Sequence, residues 1–324
     1  MLHVASDGSD DASGAADAPL ATIAAAAERA QPGTTVLVRA GTYEGDLVTK
    51  VDGRPDARIS FVAASRETRI VTAGAATGGW ENDGDYVDIV DFDISGDNAD
   101  GIFNRGSHVR ILENRVHRFR GNCIYTANDD YDLTDIDVLG NTAFGCGASE
   151  LDHAIYVTHT RGVVANNIAY GTPGFGIQCW HACNAMTIVN NLVFANAQGG
   201  IVIGGANDDG IPVENSLVAN NLVVGNGREG IREGGDAGAN NRFVNNLLWD
   251  NERDEILRRE GRESGTIVAD PRFVDFRPDG SGDYRLQPTS PAVDAGTTEL
   301  APSTAIDRAV RPLSSGIDLG VYER

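Results

Sequence analysis

The chain has 324 residues, 41% of them hydrophobic, enough to bury the core of one large domain or two ordinary ones. Asp and Glu number 47 against 26 Lys and Arg, only one of them lysine (Lys50), and the resulting net charge of −21 argues against nucleic acid or an anionic membrane as partner. No apolar run reaches membrane-spanning length, and four cysteines are too few for a disulfide scaffold in a chain this long.

The start, MLHVASDGSD, has neither the basic nor the apolar region of a signal peptide, so the chain is either intracellular or delivered without a leader. Residues 1–45 hold one convincing helix, at about 20–30, in APLATIAAAAERA; Pro32-Gly33 stops it, and its apolar stripe is expected to cover the open first coil of a repeated structure.

From 46 to 266 the sequence repeats itself. A phrase of the form apolar-x-Asn-Asn-apolar-apolar recurs, with aligned asparagines Asn114, Asn141, Asn167, Asn191, Asn221 and Asn246, separated by 27, 26, 24, 30 and 25 residues. Between them runs a Gly-Ile phrase or a near relative, with isoleucines Ile102, Ile124, Ile155, Ile177, Ile201 and Ile231. Each unit carries two or three short alternating β-runs and polar turns. No unit can bury its apolar face alone, so the units must stack, coil on coil, with the asparagines bonded in a ladder. This predicts an all-β, single-domain parallel β-helix over 1–324. Residues 267–324 are irregular and Pro-rich, and are expected to wrap back along the solenoid and cap its far end.

The N-terminal phrase VASDGSD…APLATIAAAAERAQPGTTVLVRAGTY, the Gly-Ile and Asn-Asn coils and the ending DPRFVDF…DYRLQPTSPAVDAG…DLGVYE together resemble right-handed parallel β-helix proteins of the pectate-lyase-like superfamily. The resemblance implies a right-handed helix, a polysaccharide partner and secretion or a cell-surface location. It leaves the activity open among lyase, hydrolase, uronate epimerase and non-enzymatic binding.

Alternation along the Gly-Ile strands puts the isoleucines inward. The next residues then form an outward row: Phe103, Tyr125, Tyr156, Gln178, Val202 and Arg232. A second outward row reads Arg105, Ala127, Thr158, Trp180, Gly204 and Gly234, with His159 stacked on His181 at the turn beyond. The aromatics are expected to offer flat faces to a sugar, and Gly204 and Gly234 a trough beside Trp180. Insertions at 128–135, 145–152 and 206–214 are expected to wall the groove and to bring Asp129, Asp130, Glu150, Asp152, Asp208 and Asp209 near it.

Eliminating across a uronic acid needs a base, an acid and neutralisation of the carboxylate. Lys50 is far from the patch in sequence. The candidates are therefore Tyr156 with His153 or His181 as base and acid, and Arg232 or a bound calcium ion for the carboxylate. His153 has inward parity and is equally readable as a core residue. Tyr125, His159, Gln178, Trp180 and Arg105 are the substrate-binding candidates, and Asp129, Asp130 and Asp152 the candidate calcium ligands. The alternative is a glycoside hydrolase drawing two carboxylates from the insertions; Glu233, with inward parity, is a weaker choice. A non-enzymatic glycan-binding solenoid would need the aromatics and no acid/base set. Cys179 reads as a small inward hydrophobe and Cys146 and Cys183 as turn residues able to pair with each other. A monomer is expected.

Overall fold

The computed structural model describes residues 1–74, 77–205 and 212–324. Three parallel sheets of 11, 10 and 9 strands wind into a solenoid. One coil shows the plan: Gly162–Ala165 lies in the first sheet, Ile168–Tyr170 in the second and Phe175–Cys179 in the Gly-Ile sheet. Successive coils pair in register, so the isoleucines at 102, 124, 155, 177, 201 and 231 stack in one file. All six are fully buried, and Val164, Ile188 and Val218 of the first sheet face them across the core.

The two asparagines of each repeat do different work at the corner between the first and second sheets. The first sits in the left-handed region (Asn166, Asn190, Asn220 and Asn245, φ from 51° to 57°), which asparagine tolerates better than most residues. The second forms the ladder. Asn167 donates its backbone and side-chain N–H groups to Asn191 Oδ1 at 2.9 and 3.0 Å, and Asn191 treats Asn221 in the same way. The expected ladder runs unbroken from Asn114 to Asn246.

A second ladder, not expected from the sequence, occupies the next corner. Thr172, Asn196, Asn226 and Asn251 are linked coil to coil, each five residues after a ladder asparagine of the first corner. That Asn-x4-Asn spacing was the available signal. One coil lower, Cys146 takes the equivalent place and is disulfide-bonded to Cys123. Cys179 is bonded to Cys183. The two pairings have different causes: stacking of successive coils brings Cys123 to Cys146, whereas Cys179 and Cys183, four residues apart, meet where the chain turns after the strand Phe175–Cys179.

The glycine of each Gly-Ile phrase faces this second corner, where the next sheet leaves no room for a side chain. A Cβ on Gly200 would stand 2.2 Å from Val223 Cγ1 and 2.4 Å from the Gly230 carbonyl.

The only α-helix among the described residues, Ile23–Arg29, is capped by Thr22, whose hydroxyl accepts the Ala25 N–H, and it buries Ile23, Ala26 and Ala27. The C-terminal segment runs back along the outside. Phe273, Tyr284, Leu286, Leu319 and Val321 pack on the outer face of the second sheet against Tyr170, Phe194 and Leu222. Asn166, Asn190, Asn220 and Asn245 donate their side-chain amides to its carbonyls. These contacts lie on the flank of the solenoid, so the segment straps the side rather than capping the far end as expected.

Candidate functional site

The Gly-Ile sheet carries the predicted outward row: Phe103, Tyr125, Tyr156, Gln178, Val202 and Arg232 are register partners on six successive coils. Its aromatics are used differently from expectation. Phe103 and Tyr125 stack at 5.2 Å between centroids, and Tyr125 and Tyr156 at 4.9 Å. Both faces of Tyr125 are therefore covered by its neighbours. The file offers a groove its ring edges and phenol groups, not flat platforms. Burial, reinforced by the adjoining Tyr156 and Asp100, pushes the Tyr125 phenol above its ordinary value, so it stays protonated.

His153 belongs to a row of buried polar residues at the entrance of the sheet. Asp100 Oδ1 accepts the Asn122 N–H at 2.7 Å, Asn122 Oδ1 accepts the His153 N–H at 2.8 Å, and His153 Nδ1 accepts the Phe175 N–H at 2.9 Å. The imidazole thus does on its coil what a carboxylate and an amide do on the two before it. With Nδ1 accepting, the neutral ring carries its proton on Nε2. Burial lowers its pKa to about 4. Its ring meets Tyr156 edge-on at 5.1 Å. Its one basic nitrogen is already occupied, which removes it as a proton acceptor and makes it a support for Tyr156.

His159 is fully buried, not at an outward turn. Its Nδ1 lies 2.8 Å from Thr126 Oγ1 and its Nε2 lies 3.1 Å from the Ile136 carbonyl oxygen. It does not stack on His181 and cannot reach a substrate. His181 stacks instead on Tyr131 of the 128–135 insertion at 4.2 Å, beyond the C-terminal ends of the strands Ile124–Thr126 and Phe175–Cys179. The 145–152 insertion lies at the N-terminal end of the strand Ile155–Val157, and from it Glu150 accepts a 2.6 Å bond from Gln198, just before the strand Gly199–Gly205.

Trp180 also departs from expectation. Its indole lies over Gly204 and Gly234, so the expected trough is filled: a Cβ on Gly204 would stand 2.3 Å from Trp180 Cζ3. Arg105 stacks on Phe103 at 4.9 Å and is paired with Asp83 at 2.6 Å and Glu81 at 3.3 Å. Gln178 and Arg232 are half-buried, with no hydrogen-bond or ion-pair partner among the described residues. Arg232 stands three coils from Tyr156, about 14 Å at about 4.8 Å per coil, too far to hold the carboxylate of the same sugar. Lys50 directly follows Leu47–Thr49 and shares this face, but four coils from Thr158, about 19 Å.

A family described as Pel9A-like, right handed beta helix region, matches residues 2–261. The chain belongs to this family. Among solved structures it is similar to pectate lyase Pel9A (17% identity, TM-score 0.71, covering 100% of this chain and 96% of that one) and to a rhamnogalacturonan lyase (14%, TM-score 0.64, 92% and 96%). At these identities the likeness is one of fold. A curated relative, the uncharacterized protein YwoF of Bacillus subtilis (strain 168), is 30% identical over 132 residues; the match spans 36% of this chain and 28% of YwoF.

In this Pel9A-like chain the acidic insertions do not converge. Asp129 and Asp130 are exposed beyond the C-terminal end of the strand Ile124–Thr126, whereas Asp152 precedes the strand Ile155–Val157, at the opposite edge of the sheet. Asp152 Oδ2 is committed to its own loop, accepting from the N–H groups of Ala148 and Ser149 and from the Ser149 hydroxyl at 2.7–2.9 Å. No group of three or more His, Cys, Asp or Glu side chains among the described residues is placed to hold a metal ion, so Asp129, Asp130 and Asp152 do not fit a shared calcium site. Among the described residues, the same separation leaves the insertion carboxylates Asp129 and Asp130 without a facing partner in Asp152. Asp208 and Asp209 lie outside the described residues. Glu233 points inward as expected; its carboxylate accepts the N–H groups of Arg259, Glu260 and Gly261.

Proposed function

We propose that this Pel9A-like protein is a polysaccharide lyase that binds a uronic-acid-containing glycan in the groove on the Gly-Ile sheet and cleaves it by β-elimination at Tyr156. The observation that carries the reading is the file Tyr125–Tyr156–Gln178: three outward polar groups on consecutive coils, with the 128–135 and 145–152 insertions at opposite ends of their strands, on a fold shared with proteins named as pectate and rhamnogalacturonan lyases. Tyr156 as phenolate takes the proton on C5. The C5–H electrons form the C4–C5 double bond, the C4–O bond breaks, and the leaving oxygen takes a proton from Tyr125, whose buried phenol stays protonated. The Gln178 amide, one coil from Tyr156, donates hydrogen bonds to the carboxylate as charge builds on it. His153, held neutral, fixes the Tyr156 ring. The reaction belongs outside the cytoplasm, a reading supported by the two disulfides.

The test is a panel of uronate and neutral polysaccharides, with and without calcium, read for ultraviolet absorbance and reducing ends together. The expected result is new absorbance from an unsaturated uronate, rising with pH as the phenolate forms, and a loss of at least ~100-fold in kcat for Tyr156→Phe. Reducing ends without absorbance would point to hydrolysis. Full activity in Tyr156→Phe would overturn the assignment. Silence on both channels would favour a binding solenoid.

A further inference from the structure

The indole of Trp180 and the guanidinium of Arg232 meet at one spot on the Gly-Ile sheet, away from Tyr156. Trp180 is laid across two coils. The positions a Cβ would take on Gly204 and Gly234 lie 2.3 Å and 3.0 Å from its Cζ3, so the ring fills the space that the missing side chains of the two glycines leave. The same point above Gly234 lies 3.4 Å from Arg232 Nε. Any side chain at either glycine would displace the ring. The half-buried indole sets the Cε3–Cζ3–Cη2 edge of its six-membered ring above the two glycines. Unlike the stacked tyrosines, it has no aromatic ring packed on it among the described residues. The guanidinium at its edge has no carboxylate within ion-pair reach among the described residues, whereas Arg105 on the same face is spent on Asp83 and Glu81.

We propose that Trp180 and Arg232 form a binding subsite for a carboxylate-bearing sugar, separate from the bond broken at Tyr156. An indole face holds a pyranose ring through its C–H surface, whatever the sugar; a planar guanidinium beside it selects a sugar that carries a carboxylate, which it can grip with two parallel hydrogen bonds. Three coils, about 14 Å, separate Arg232 from Tyr156, farther than one ring reaches. The subsite therefore reads a sugar other than the one undergoing chemistry, and short oligomers cannot span both. It rests on the reading of this groove as a glycan site, but not on which residue performs the elimination.

The test uses the full chain and a galacturonate hexamer, a galacturonate dimer and a neutral xylose hexamer. Binding is read as the rapid change in tryptophan fluorescence on mixing, before turnover. Trp80 is fully buried and Trp249 lies on the second sheet, so Trp180 is the reporter, and Trp180→Phe should remove the signal. Arg232→Met is expected to weaken the uronate hexamer at least 10-fold and leave the xylose hexamer within 2-fold, with Arg232→Lys recovering part of the loss. If Arg232→Met binds the uronate hexamer as tightly as the wild type, or weakens both hexamers equally, the subsite is wrong while the groove survives. If no oligomer binds the wild type, the glycan reading falls with it.

Discussion

Two buried histidines each contribute stability that acid removes. His153 and His159 are each held neutral by burial, with pKa values lowered to about 4 from an unfolded value near 6.5. Between those values the unfolded chain binds more protons than the folded one, so stability falls as pH falls from about 6.5 towards 4 and is indifferent to these groups above 6.5. A shift of that size costs roughly 3 kcal/mol per histidine once the window has been crossed. Comparing calorimetric melting of the wild type and His159→Gln at pH 7.5, 6.5, 5.5 and 4.5 isolates this contribution from that of Asp318, whose pKa burial raises to about 6 and which acts in the opposite direction. His159→Gln keeps a donor and an acceptor beside Thr126 and Ile136 but does not titrate. Its melting temperature should fall less steeply between pH 6.5 and 4.5; an unchanged slope would remove His159 as a source of the acid sensitivity.

The asparagine ladders hold one coil to the next. Asn191 accepts two bonds from Asn167 and donates to the Val164 carbonyl at 2.9 Å and to Asn221 Oδ1 at 3.0 Å, all of them buried. Asn191→Ala orphans a backbone N–H and a carbonyl in the corner, and should cost about 3–5 kcal/mol in urea unfolding. The double variant with Asn221→Ala should cost less than the two singles together, because the 191–221 bond is lost only once. Strict additivity would mean that the two rungs stand independently. Gly200→Ala tests the other corner device. Its methyl would overlap Val223 and the Gly230 carbonyl, and a loss of about 2 kcal/mol or more is expected by the same measurement.

The net charge of −21 acts on the whole molecule. It repels a polyuronate over distances at which the contacts at Gln178 and Arg232 do not operate. Added salt screens the long-range repulsion more than those short contacts. For a uronate polymer, kcat/KM should therefore rise as salt is raised from about 20 mM to about 200 mM, while a neutral glycan shows no such trend. A fall with salt would mean that local attraction dominates approach. The strap at the C-terminus is the other property of the whole. Arg311 is wholly buried against Glu323 and bonds to Asn166 Oδ1 at 2.6 Å, tying the last residues to the central coils. Arg311→Met leaves Glu323 buried without its partner and should cost about 3–5 kcal/mol in the same unfolding experiment.

Repetition made the architecture legible. The Asn-Asn and Gly-Ile phrases recur once per coil, and a solenoid turns a recurring position into a file in space, so the ladder, the buried isoleucines and the outward row could all be placed from spacing. The same logic would have found the second ladder at Asn196, Asn226 and Asn251. What spacing could not supply was the use each side chain makes of its neighbours. Parity put Tyr125 outward but could not say that Phe103 and Tyr156 would cover its faces. It set Trp180 beside two glycines but could not say that the ring would fill the space above them. His159 lay just beyond the strand, and a single turn of the backbone carried it inside. Cys123 and Cys146, 23 residues apart, met because one lies just before the strand Ile124–Thr126 and the other at the corresponding corner of the next coil. Which way a strand faces is a property of local alternation; which groups a side chain touches depends on rotamers and on coils distant in sequence. The first was determined by the sequence alone, and the second only by the packed structure.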